Sequence, residues 1–485
     1  MAQFGKKLAE AKIWLKPNME TLQRTANRGS VATGYDIDNS AAFGGANGIQ
    51  FNPSSDGDRK TWTISLWVKR SEIGVETTIF GGQNTAMVFM GPDWFRFELY
   101  TGAATYYYDT DNTQTVFRDT SAWYHFVFQC DTTQAVAANR TKLYINGALY
   151  TGARGGADTS ANIPQNTEFS LNNNTVNIQV GYFYAGGEQL DGYLSEVNFT
   201  DGVANDADAF GEYDDDSGIW KPKAYAGSYG TNGFYLEFKE SAASATGIGL
   251  DTSGNGHNFS TGGAYPSQST DTPTNNFCTL NPLYNYAYGN TITEGATKIY
   301  GAANNWGGGK ATFGLTSGKW YWEIKQLSNG NTFMGLQTDG EDNISSGNAQ
   351  SQNTSVVFYT DGTLQYSNGS ETTTSAANSI AANSIVGFAL DLDSATQTIK
   401  VYLDGSLVTA FGSSGTANLS TYNLADKTVF PFVALYDRTV NMNFGGYTVS
   451  SISSAASDEN GYGTFEYAPP TGYYALCTKN LAEYG

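Results

Sequence analysis

The feature that most constrains this fold is a short hairpin sequence that occurs twice, far apart in the chain. The first copy runs from Lys142 to Leu149 and the second from Lys400 to Leu407. In each copy an Asn-Gly or Asp-Gly pair separates two strand-like runs, and these pairs tolerate the positive φ angles that a type I′ turn requires. Because another strand-like run precedes each hairpin, we predict the same supersecondary unit in two separate β-sandwich modules.

The composition agrees with two all-β modules. A chain of 485 residues exceeds what one hydrophobic core usually serves. Gly, Tyr and Phe number 56, 32 and 27, whereas charged residues make up only 15% of the chain. This balance favours short strands and tight turns over long helices. The predicted fold class is therefore all-β.

The net charge excludes two kinds of partner. The chain has 46 acidic and 26 basic residues, a formal net charge of -20. Such a surface repels nucleic acid and anionic lipid. No apolar run approaches the length of a membrane span. We therefore expect neither nucleic-acid binding nor membrane insertion.

The cysteines and the first residues bear on where the protein is made. Cys130, Cys278 and Cys477 are far apart and form no Cys-x-x-Cys pair, so we interpret them as buried thiols. Lys12 interrupts the N-terminal apolar residues, which is unlike the apolar core of a signal peptide. We expect synthesis in a cytoplasm.

The N-terminal residues have helical periodicity. Phe4, Leu8, Ala11 and Leu15 share one face of a helix, and Pro17 ends the pattern. A helix this short is marginally stable alone and must pack on something. Two interpretations are open: it lies on the first sandwich, or it anchors the chain to another protein or to a second copy.

Several strand motifs in the first half resemble one known family. They are Trp62-x-x-Ser65-x-Trp67-Val68-Lys69, Trp123-Tyr124-His125-Phe126, Tyr144-Ile145-Asn146-Gly147 and the run from Asp191 to Val197. Together they resemble the laminin-G or concanavalin-A-like lectin jelly roll. This fold hosts lectins, glycosidases and adhesion modules, so the resemblance implies a fold rather than a chemistry.

The second half resembles another family with the same type of sandwich. Its motifs include the run from Ser317 to Glu323, Gly387-Phe388-Ala389-Leu390-Asp391, the second hairpin, and Asn443-Phe444-Gly445. They look like a SPRY domain, which binds protein or peptide partners through its loops. The resemblance accounts for the duplicated hairpin without a recent internal duplication.

Longer and rarer motifs resemble tailed-bacteriophage virion proteins that carry a laminin-G module. These motifs are residues 210–223, 229–236, 251–256 and 278–283, and the tail from Tyr473 to Leu481. The apolar residues of that tail predict docking rather than disorder.

The complete prediction is two concanavalin-A-like jelly-roll sandwiches in tandem, with a short N-terminal helix. The domains are 1–35 (helix or anchor), 36–225 (laminin-G-like), 226–290 (connecting segment), 291–450 (SPRY-like) and 451–485 (C-terminal tail).

Catalytic constellations are sparse, and we predict that the protein is not an enzyme. His125 and His257 are the two histidines; we expect a hydrogen-bonded role for the first and a solvent-facing role for the second. The Glu-x-Asp-x-x-Glu strand common in glycosidases of this fold is missing. Glu196 and Glu323 are isolated carboxylates, which we interpret as structural hydrogen-bond acceptors.

Calcium is the one cofactor that the acidic loops could hold. Ca²⁺ prefers carboxylate and amide oxygens in irregular loops. The candidate ligands are Asp56 with Asp58, Asp109 with Asp111, Asp214 to Asp216, and Asp251 with Asn255. Turns also recruit Asp and Asn for backbone reasons alone, and this alternative applies to each pair.

Aromatic residues near Asn-rich loops are candidates for carbohydrate binding. Sugar rings stack on Tyr, and sugar hydroxyls bind Asn and Asp. The candidates are Tyr106, Tyr107, Tyr108, Tyr182, Tyr184 and Asn173. The alternative is that alternating aromatic residues of a strand belong to the core.

The sequence leads to one functional expectation. We expect a non-enzymatic structural adhesion protein of a phage particle, such as a tail fibre, that binds host-surface carbohydrate. Its expected partners are other virion proteins, a host glycan or protein, and further copies of itself. It would be made in the host cytoplasm and exposed on the virion. The alternatives are a capsid-decorating head fibre, a secreted lectin and a glycoside hydrolase.

Overall fold

The computed structural model describes residues 34–183, 188–284, 289–301, 304–338, 355–360, 379–410 and 414–485, with the backbone of 364–367 and 371–373. The predicted helix from Phe4 to Leu15 lies outside these residues. The described chain is almost entirely β, as predicted.

The first module is built from strands that begin at Ser40. They are β1 (Ser40–Gly44), β2 (Ile49–Phe51), β3 (Thr61–Arg70), β4 (Thr77–Gly82), β5 (Thr85–Phe89), β6 (Phe95–Tyr100), β7 (Thr105–Asp109), β8 (Trp123–Asp131), β9 (Thr141–Ile145), β10 (Ala148–Leu149), β11 (Ile178–Val180), β12 (Asp191–Asp201), β13 (Gly211–Tyr213), β14 (Trp220–Pro222), β15 (Phe234–Leu236), β16 (Ser260–Thr261) and β17 (Ser267–Ser269).

These strands form two facing sheets. The front sheet has the order β10-β9-β8-β3-β12-β1-β17, with β15 also paired to β12. The back sheet has the order β16-β2-β11-β4-β5-β6-β7, and β13 and β14 form a separate pair. Strands β15 to β17 come from the segment predicted as a connection, 226–290, so this segment also completes both sheets of the first module.

The second module contains the remaining strands. They are β18 (Asn290–Thr293), β19 (Lys298–Gly301), β20 (Trp306–Lys310), β21 (Lys319–Gln326), β22 (Thr332–Thr338), β23 (Ser355–Tyr359), β24 (Leu364–Ser367), β25 (Glu371–Thr373), β26 (Ile385–Asp391), β27 (Thr398–Leu403), β28 (Ser406–Leu407), β29 (Thr416–Asn418), β30 (Val429–Tyr436), β31 (Thr439–Asn443) and β32 (Tyr474–Ala475).

They also form a front and a back sheet. The front sheet has the order β18-β19-β31-β21-β26-β27-β28, with β29 on β27 and β32 on β21. The back sheet has the order β20-β30-β22-β23-β24-β25. Each sandwich encloses its own large core, with Trp62 fully buried in the first and Trp322 in the second.

Helical structure is scarce among the described residues. The α-helix is α1 (Thr478–Tyr484), and short 3-10 turns occur at Ala137–Asn139, Ser160–Asn162, Ala207–Ala209 and Leu419–Tyr422. None of the helices in the described part of the chain has the length and apolar character that a membrane crossing requires.

Both predicted hairpin turns are present. Asn146 and Asp404 each have φ of +47°, and Gly147 and Gly405 follow with +81° and +78°. These angles match the type I′ turn, in which both central residues are left-handed.

The C-terminal tail docks as predicted. Tyr474 and Ala475 pair in parallel with β21, and the Leu476 carbonyl accepts a hydrogen bond from Cys278 N at 2.9 Å. All three cysteines are buried free thiols, again as predicted.

Buried polar contacts join the modules through the connecting segment. Lys69 of β3 is 1% exposed, and its Nζ donates to Asp271 Oδ2, Asn276 Oδ1 and the Phe277 carbonyl, each at 2.7 Å. Trp123 Nε1 donates to the other Asp271 oxygen at 3.0 Å. A buried ion pair needs such additional hydrogen bonds to offset the desolvation of its charges.

A second contact crosses directly into the second module. Asp191 of β12 accepts hydrogen bonds from Glu294 N at 2.9 Å and Gly295 N at 2.7 Å, while Tyr193 donates to the Gly295 carbonyl at 2.6 Å. Burial raises the pKa of Asp191 to about 6 although these donors lower it. The modules are thus joined by specific hydrogen bonds.

Candidate functional site

The candidate site lies on the outer face of the back sheet of the first module. Strand β6 alternates strictly, with Phe95, Phe97 and Leu99 buried in the core and Arg96 and Glu98 half-buried on the other side. The two-residue period of a strand produces this division. The outer face is therefore polar where the inner face is aromatic.

One row of residues runs across six strands of this face. Direct pairing links Gln50, Gln179, Gly81, Ala86, Glu98 and Tyr107 in that order. Side chains directly opposed on neighbouring strands share a face of the sheet. The middle of the row is buried, with Gln179 1% and Ala86 2% exposed, so the accessible groups are those at its two ends. A Cβ atom at Gly81 would lie only 2.2 Å from the Thr85 carbonyl oxygen, which shows how closely the backbones approach there.

Arg96 is the organising charge of the face. Its Nε and Nη2 donate to the two oxygens of Asp109 at 2.8 and 2.9 Å, a bidentate pair. Its guanidinium carbon lies 4.5 Å from the ring centre of Tyr107 and 4.9 Å from that of Trp94. Burial lowers the pKa of Arg96, but Asp109 more than compensates and raises it overall. The guanidinium is therefore held charged and in a defined plane.

Carboxylates surround this arginine. Glu98 lies 3.8 Å from Arg96 Nη1. Burial raises the pKa of Glu98 and of Glu76, Arg96 opposes both shifts, and the negative charge of Glu188 adds to both. The outer face therefore carries more negative than positive charge.

The opposite end of the row carries amides. Gln50 Oε1 accepts hydrogen bonds from Tyr182 at 2.6 Å and from Asn177 Nδ2 at 3.0 Å. Beside them is a cavity of about 300 Å³ lined by Gln83, Thr175, Val176, Asn177 and Gln179. A planar guanidinium, carboxylates, amides and a tyrosine ring on one face are the groups that bind the hydroxyls and the ring face of a sugar.

The structure separates the predicted carbohydrate-binding residues. Tyr108 is fully buried and Tyr106 packs against the same core, so the inner side of β7 contributes to packing. Tyr107 lies on the outer face beside Arg96. Tyr182 lies at the amide end of the row, whereas Tyr184 falls outside the described residues.

Asn173 serves a turn: its Oδ1 accepts hydrogen bonds from the backbone N and the hydroxyl of Thr175, at 2.8 and 2.6 Å. It has the local role that Asx turns give this residue type.

Most of the predicted calcium ligands have protein partners, including Asp214, which accepts from Ser217 N, and Asp251, which accepts from Tyr235 N. Asp56 accepts from Asn174 N, Asp58 from Lys60 N and Thr61 N, and Asp111 from Thr113 N and Gln114 N, all within 3.2 Å. Asp109 is paired with Arg96. No group of three or more His, Cys, Asp or Glu side chains suited to a metal ion occurs among the described residues.

His125 lies on strand β8 of the front sheet of the first module, where its side chain is buried. Trp220 Nε1 donates to its Nδ1 at 2.9 Å, and its Nε2 lies 2.9 Å from Ser65 Oγ. Its ring stacks 4.6 Å from that of Trp67. Burial lowers the pKa of His125 to about 3. It is therefore a neutral packing residue, consistent with the predicted hydrogen-bonded role.

Glu196 and Glu323 act as structural acceptors, as predicted. Glu196 accepts from Tyr35 at 2.9 Å and Tyr235 at 2.7 Å. Glu323 accepts from the backbone N atoms of Glu466 and Tyr467, both at 2.9 Å.

Sequence reasoning missed Arg96, Glu98 and Gln179. The alternation Phe95-Arg96-Phe97-Glu98-Leu99 was a usable signal, because polar residues between buried aromatics of a strand must face outward. Gln179 had no comparable signal, since strand β11 is only three residues long.

Comparison with known proteins supports the fold of the first module. Residues 43–209 match the Laminin_G_3 model, described as the concanavalin A-like lectin/glucanases superfamily. This match includes strands β2 to β12 and the candidate face. No curated protein sequence matches the chain.

Several solved structures are similar at low identity. The SPRY domain of human HERC1 is 18% identical, with 34% of this chain and 96% of that chain covered and a TM-score of 0.27. A protein from Bacteroides ovatus ATCC 8483, described provisionally as carbohydrate-binding, is 17% identical over 48% of this chain and 60% of that one, with a TM-score of 0.32. A pentraxin from Limulus polyphemus is 16% identical over 36% and 80%, with a TM-score of 0.26.

Proposed function

We propose that the first module binds carbohydrate on the outer face of its back sheet. The main observation is the row of paired residues that ends in Glu98 and Tyr107. Arg96 lies beside it, hydrogen-bonded to Asp109 and close to the Tyr107 ring. Planar charged groups bind pairs of sugar hydroxyls, and a half-buried tyrosine offers an apolar surface to the sugar ring. The superfamily match of residues 43–209 supports the same ligand class.

The charge of the candidate face limits the class of saccharide that it can bind. Glu76, Glu98 and Glu188 outnumber Arg96, whose own charge is matched by Asp109. The formal charge of the whole chain is -20. Acidic polysaccharides would be repelled at this face, so the proposed ligand is a neutral or amino-bearing saccharide.

The wider role in the proposal is non-enzymatic adhesion on a tailed-phage particle, as a tail fibre or similar appendage. The support is the resemblance of residues 210–223, 229–236 and 251–256, and of the docked tail, to virion proteins of such phages. In this role the protein is exposed on the virion as a homo-oligomer attached to other virion proteins. The second module binds a protein or glycan partner. Capsid decoration is the alternative placement.

A glycan microarray with neutral, amino and acidic oligosaccharides tests the ligand class on the full chain. Tyr107→Ala removes the stacking ring while its backbone bonds to Thr159 remain possible. We expect roughly fivefold weaker binding of the best neutral ligand, since such ring contacts contribute about 1 kcal/mol.

The matched controls separate the ring from general effects. Tyr107→Phe keeps the ring and should retain most of the binding. Tyr213→Ala removes a tyrosine that is 50% exposed and packs on Trp220, away from the candidate face. Equal losses in Tyr107→Ala and Tyr213→Ala, or binding of acidic glycans only, would contradict the proposal.

The location of the protein decides the wider role. Mass spectrometry of purified virions should find the chain at a fixed copy number, and immunogold labelling should place it at the tail. Label confined to the head would favour capsid decoration. A chain missing from particles would refute the virion role but leave the carbohydrate proposal standing.

One observation favours a second candidate, a glycoside hydrolase. Glu76 and Glu98 share the face with Glu188, and their pKa values are raised, as a general acid requires. Incubation with each array-positive oligosaccharide tests it by release of reducing sugar. Release that Glu98→Gln abolishes while binding persists would establish hydrolysis in place of simple binding.

A further inference from the structure

A cleft lies at the junction of the two modules, and none of its lining residues belongs to the candidate face. Its volume is about 420 Å³. One wall is the edge strand of the first module, residues 267–270, and the other is residues 445–452 of the second module, with Thr464. The volume is within the range of small-molecule sites, about 300–1,000 Å³, which often form between domains.

The lining of this junction cleft is neutral and rich in hydroxyl groups. Its residues include Ser267, Ser269, Thr270, Tyr447, Ser450 and Thr464. None of the described lining residues is charged, and most of them carry a hydroxyl group. Hydroxyls both donate and accept hydrogen bonds, which suits a ligand whose own groups are hydroxyls.

The edge of β17 is partly closed by the second module. Thr270 N, Thr270 Oγ1 and Ser269 Oγ all donate to the Gly446 carbonyl, at 3.1, 3.3 and 3.2 Å. An extended peptide that adds to a sheet needs the backbone groups of the edge. Because Gly446 already occupies this part of the edge, peptide addition is disfavoured.

Asn441 supplies an independent sign of a ligand or water. It is 5% exposed, and its Nδ2 donates to Ser450 Oγ at 2.8 Å. Its Oδ1 is buried without a hydrogen-bond partner in the described structure, and Asn441 lines a cavity of about 10 Å³ that shares Thr448 and residues 450–452 with the cleft. Such an acceptor costs about 1–3 kcal/mol unless a water or a ligand hydroxyl satisfies it.

The Asn441 contact also orients Ser450. Since Ser450 Oγ accepts from the amide, its own proton remains available to donate to a group in the cleft. Ser450 is half-buried and lines both the cleft and the small cavity. It is therefore a positioned donor rather than a freely rotating surface hydroxyl.

Tyr447 forms an aromatic wall. Its ring packs edge-on against Tyr193 of the first module, with centroids 6.0 Å apart. Burial and the charge of Glu294 raise the pKa of Tyr447 to about 12. The phenol stays neutral at physiological pH, and because its hydroxyl already interacts with Ser267, the ring is the part that it offers to a ligand.

We propose that the junction cleft is a second saccharide site, which binds one neutral sugar unit between Tyr447 and Ser450. The lining of the cleft offers no cation to an acidic ligand, and Lys325 in the adjoining small cavity is accompanied by Glu323 and Glu466. A peptide strand would meet an edge that Gly446 already occupies. The inference takes its ligand class from the proposed function but uses a different surface. Both modules contribute walls, so the site exists only in the joined protein.

Saturation-transfer NMR on the full chain tests this inference, with glucose, galactose, N-acetylglucosamine and lactose as neutral probes and N-acetylneuraminic acid as the acidic probe. Ser450→Trp fills the cleft, and we expect at least a roughly tenfold loss of affinity for one neutral sugar. Ser450→Ala removes the hydroxyl that accepts from Asn441 and would donate to the sugar. Loss of that one hydrogen bond to the ligand should weaken binding roughly fivefold.

The controls distinguish the two sites and a failure to fold. Ser54→Trp places the same side chain at an exposed serine of the first module and should change nothing. Thermal unfolding establishes that each variant is folded, and Ser450→Ala remains informative if Ser450→Trp is not.

The outcomes separate this inference from the proposed function. Loss of sugar binding in the Ser450 variants with retention in Tyr107→Ala supports the junction cleft even if the candidate face binds nothing. If no neutral sugar binds, if only the acidic probe binds, or if both folded Ser450 variants bind as the unaltered chain does, the inference is overturned. Loss confined to Tyr107→Ala overturns it while supporting the candidate face.

Discussion

The front sheets of the two modules have the same strand order, but the outer faces of their back sheets carry different side chains. The front sheets run β10-β9-β8-β3-β12-β1-β17 and β28-β27-β26-β21-β31-β19-β18, which correspond strand by strand. Even the hairpin contacts correspond. Asn146 Oδ1 accepts from His125 N, and Asp404 Oδ1 from Ile385 N, both at 2.8 Å.

The back sheets show the difference. The outer face of the first carries Arg96 and its carboxylates, whereas that of the second carries a stacked aromatic row. Trp306, Phe333 and Tyr359 follow one another with ring centroids 4.8 and 4.6 Å apart. The comparison teaches that strand order positions a face, while the side chains on that face set what it can bind.

The largest loss of stability is expected at the joint between the modules, which is the buried contact of Lys69 with Asp271. Lys69→Ala leaves the carboxylate of Asp271, which is 1% exposed, without its cation. Breaking a buried pair in this way costs about 3–5 kcal/mol. Urea unfolding measures the loss, and if the modules are coupled, unfolding probes in both should shift together.

The control for the joint is Lys60→Ala. Lys60 pairs with Glu168 at 3.1 Å on the surface, where both side chains are at least 36% exposed. A pair of this kind contributes about 0–1 kcal/mol. Equal effects of the two lysine variants would show that the joint is not a buried ion pair, and a shift in only one transition would show independent modules.

Glu196 in the first module and Glu323 in the second are both buried, and the pH dependence of stability can distinguish their environments. Burial raises the pKa of Glu196 from 4.5 to about 7, although its tyrosine partners lower it. A carboxyl with a raised folded pKa favours folding while it is protonated. Its contribution is full below pH 4.5 and is lost as the pH rises through 7.

Glu196→Gln should therefore match the unaltered protein at pH 5 and exceed its stability at pH 8, by about 3 kcal/mol at most. Denaturant unfolding at both pH values measures this. A variant that is less stable at pH 8 would contradict the assigned direction.

Glu323→Gln, in the second module, should behave oppositely. Glu323 accepts from two backbone N–H groups, from Tyr321 and from Asn443, so an amide NH₂ would face donors. We expect a loss of about 1–3 kcal/mol at either pH. A gain in stability at pH 8 would show that the two glutamates are equivalent.

The hairpin glycines test the smallest structural difference between the modules. Gly147→Ala and Gly405→Ala each place a Cβ at positive φ, which costs about 1–2 kcal/mol. The added atom would lie 2.2 Å from the Trp220 ring and 2.6 Å from the Tyr467 ring. Trp220 is buried and hydrogen-bonded to His125, whereas Tyr467 lies half-buried on the C-terminal tail. The Tyr467 ring can therefore move away from the added atom more easily.

Thermal unfolding should therefore rank Gly147→Ala below Gly405→Ala in stability. Alanine substitutions at Gly74 and Gly102 are matched controls, because both have positive φ and no atom within 4 Å of an added Cβ. If all four variants lose the same stability, the backbone angle alone accounts for the cost.

Local signals explain which parts of the fold were predictable. Asn146-Gly147 and Asp404-Gly405 determine their turns through backbone angles, so both hairpins were visible in the sequence. Strands β15 to β17 were less visible, because two- and three-residue strands carry almost no periodicity. Their pairing with β12, β2 and β1 depends on partners distant in the chain.

The candidate site was only partly predictable for a related reason. Tyr107 was identified as one of three adjacent tyrosines, but the inward or outward direction of each depends on the register of β7 with β6. Arg96 acquires its role only when that register places it opposite Asp109. The junction cleft had no local signal, because residues 267–270 and 445–452 meet only in the folded chain.

The sequence by itself determined the β class, the two tight hairpins, the buried thiols and the docked tail, because turn chemistry and apolar periodicity act over a few residues. Tertiary structure alone decided which polar side chains share a face, which carboxylates lose their water, and where the modules enclose a cleft. These properties depend on strand register and on burial, and both are set by contacts between residues far apart in the chain.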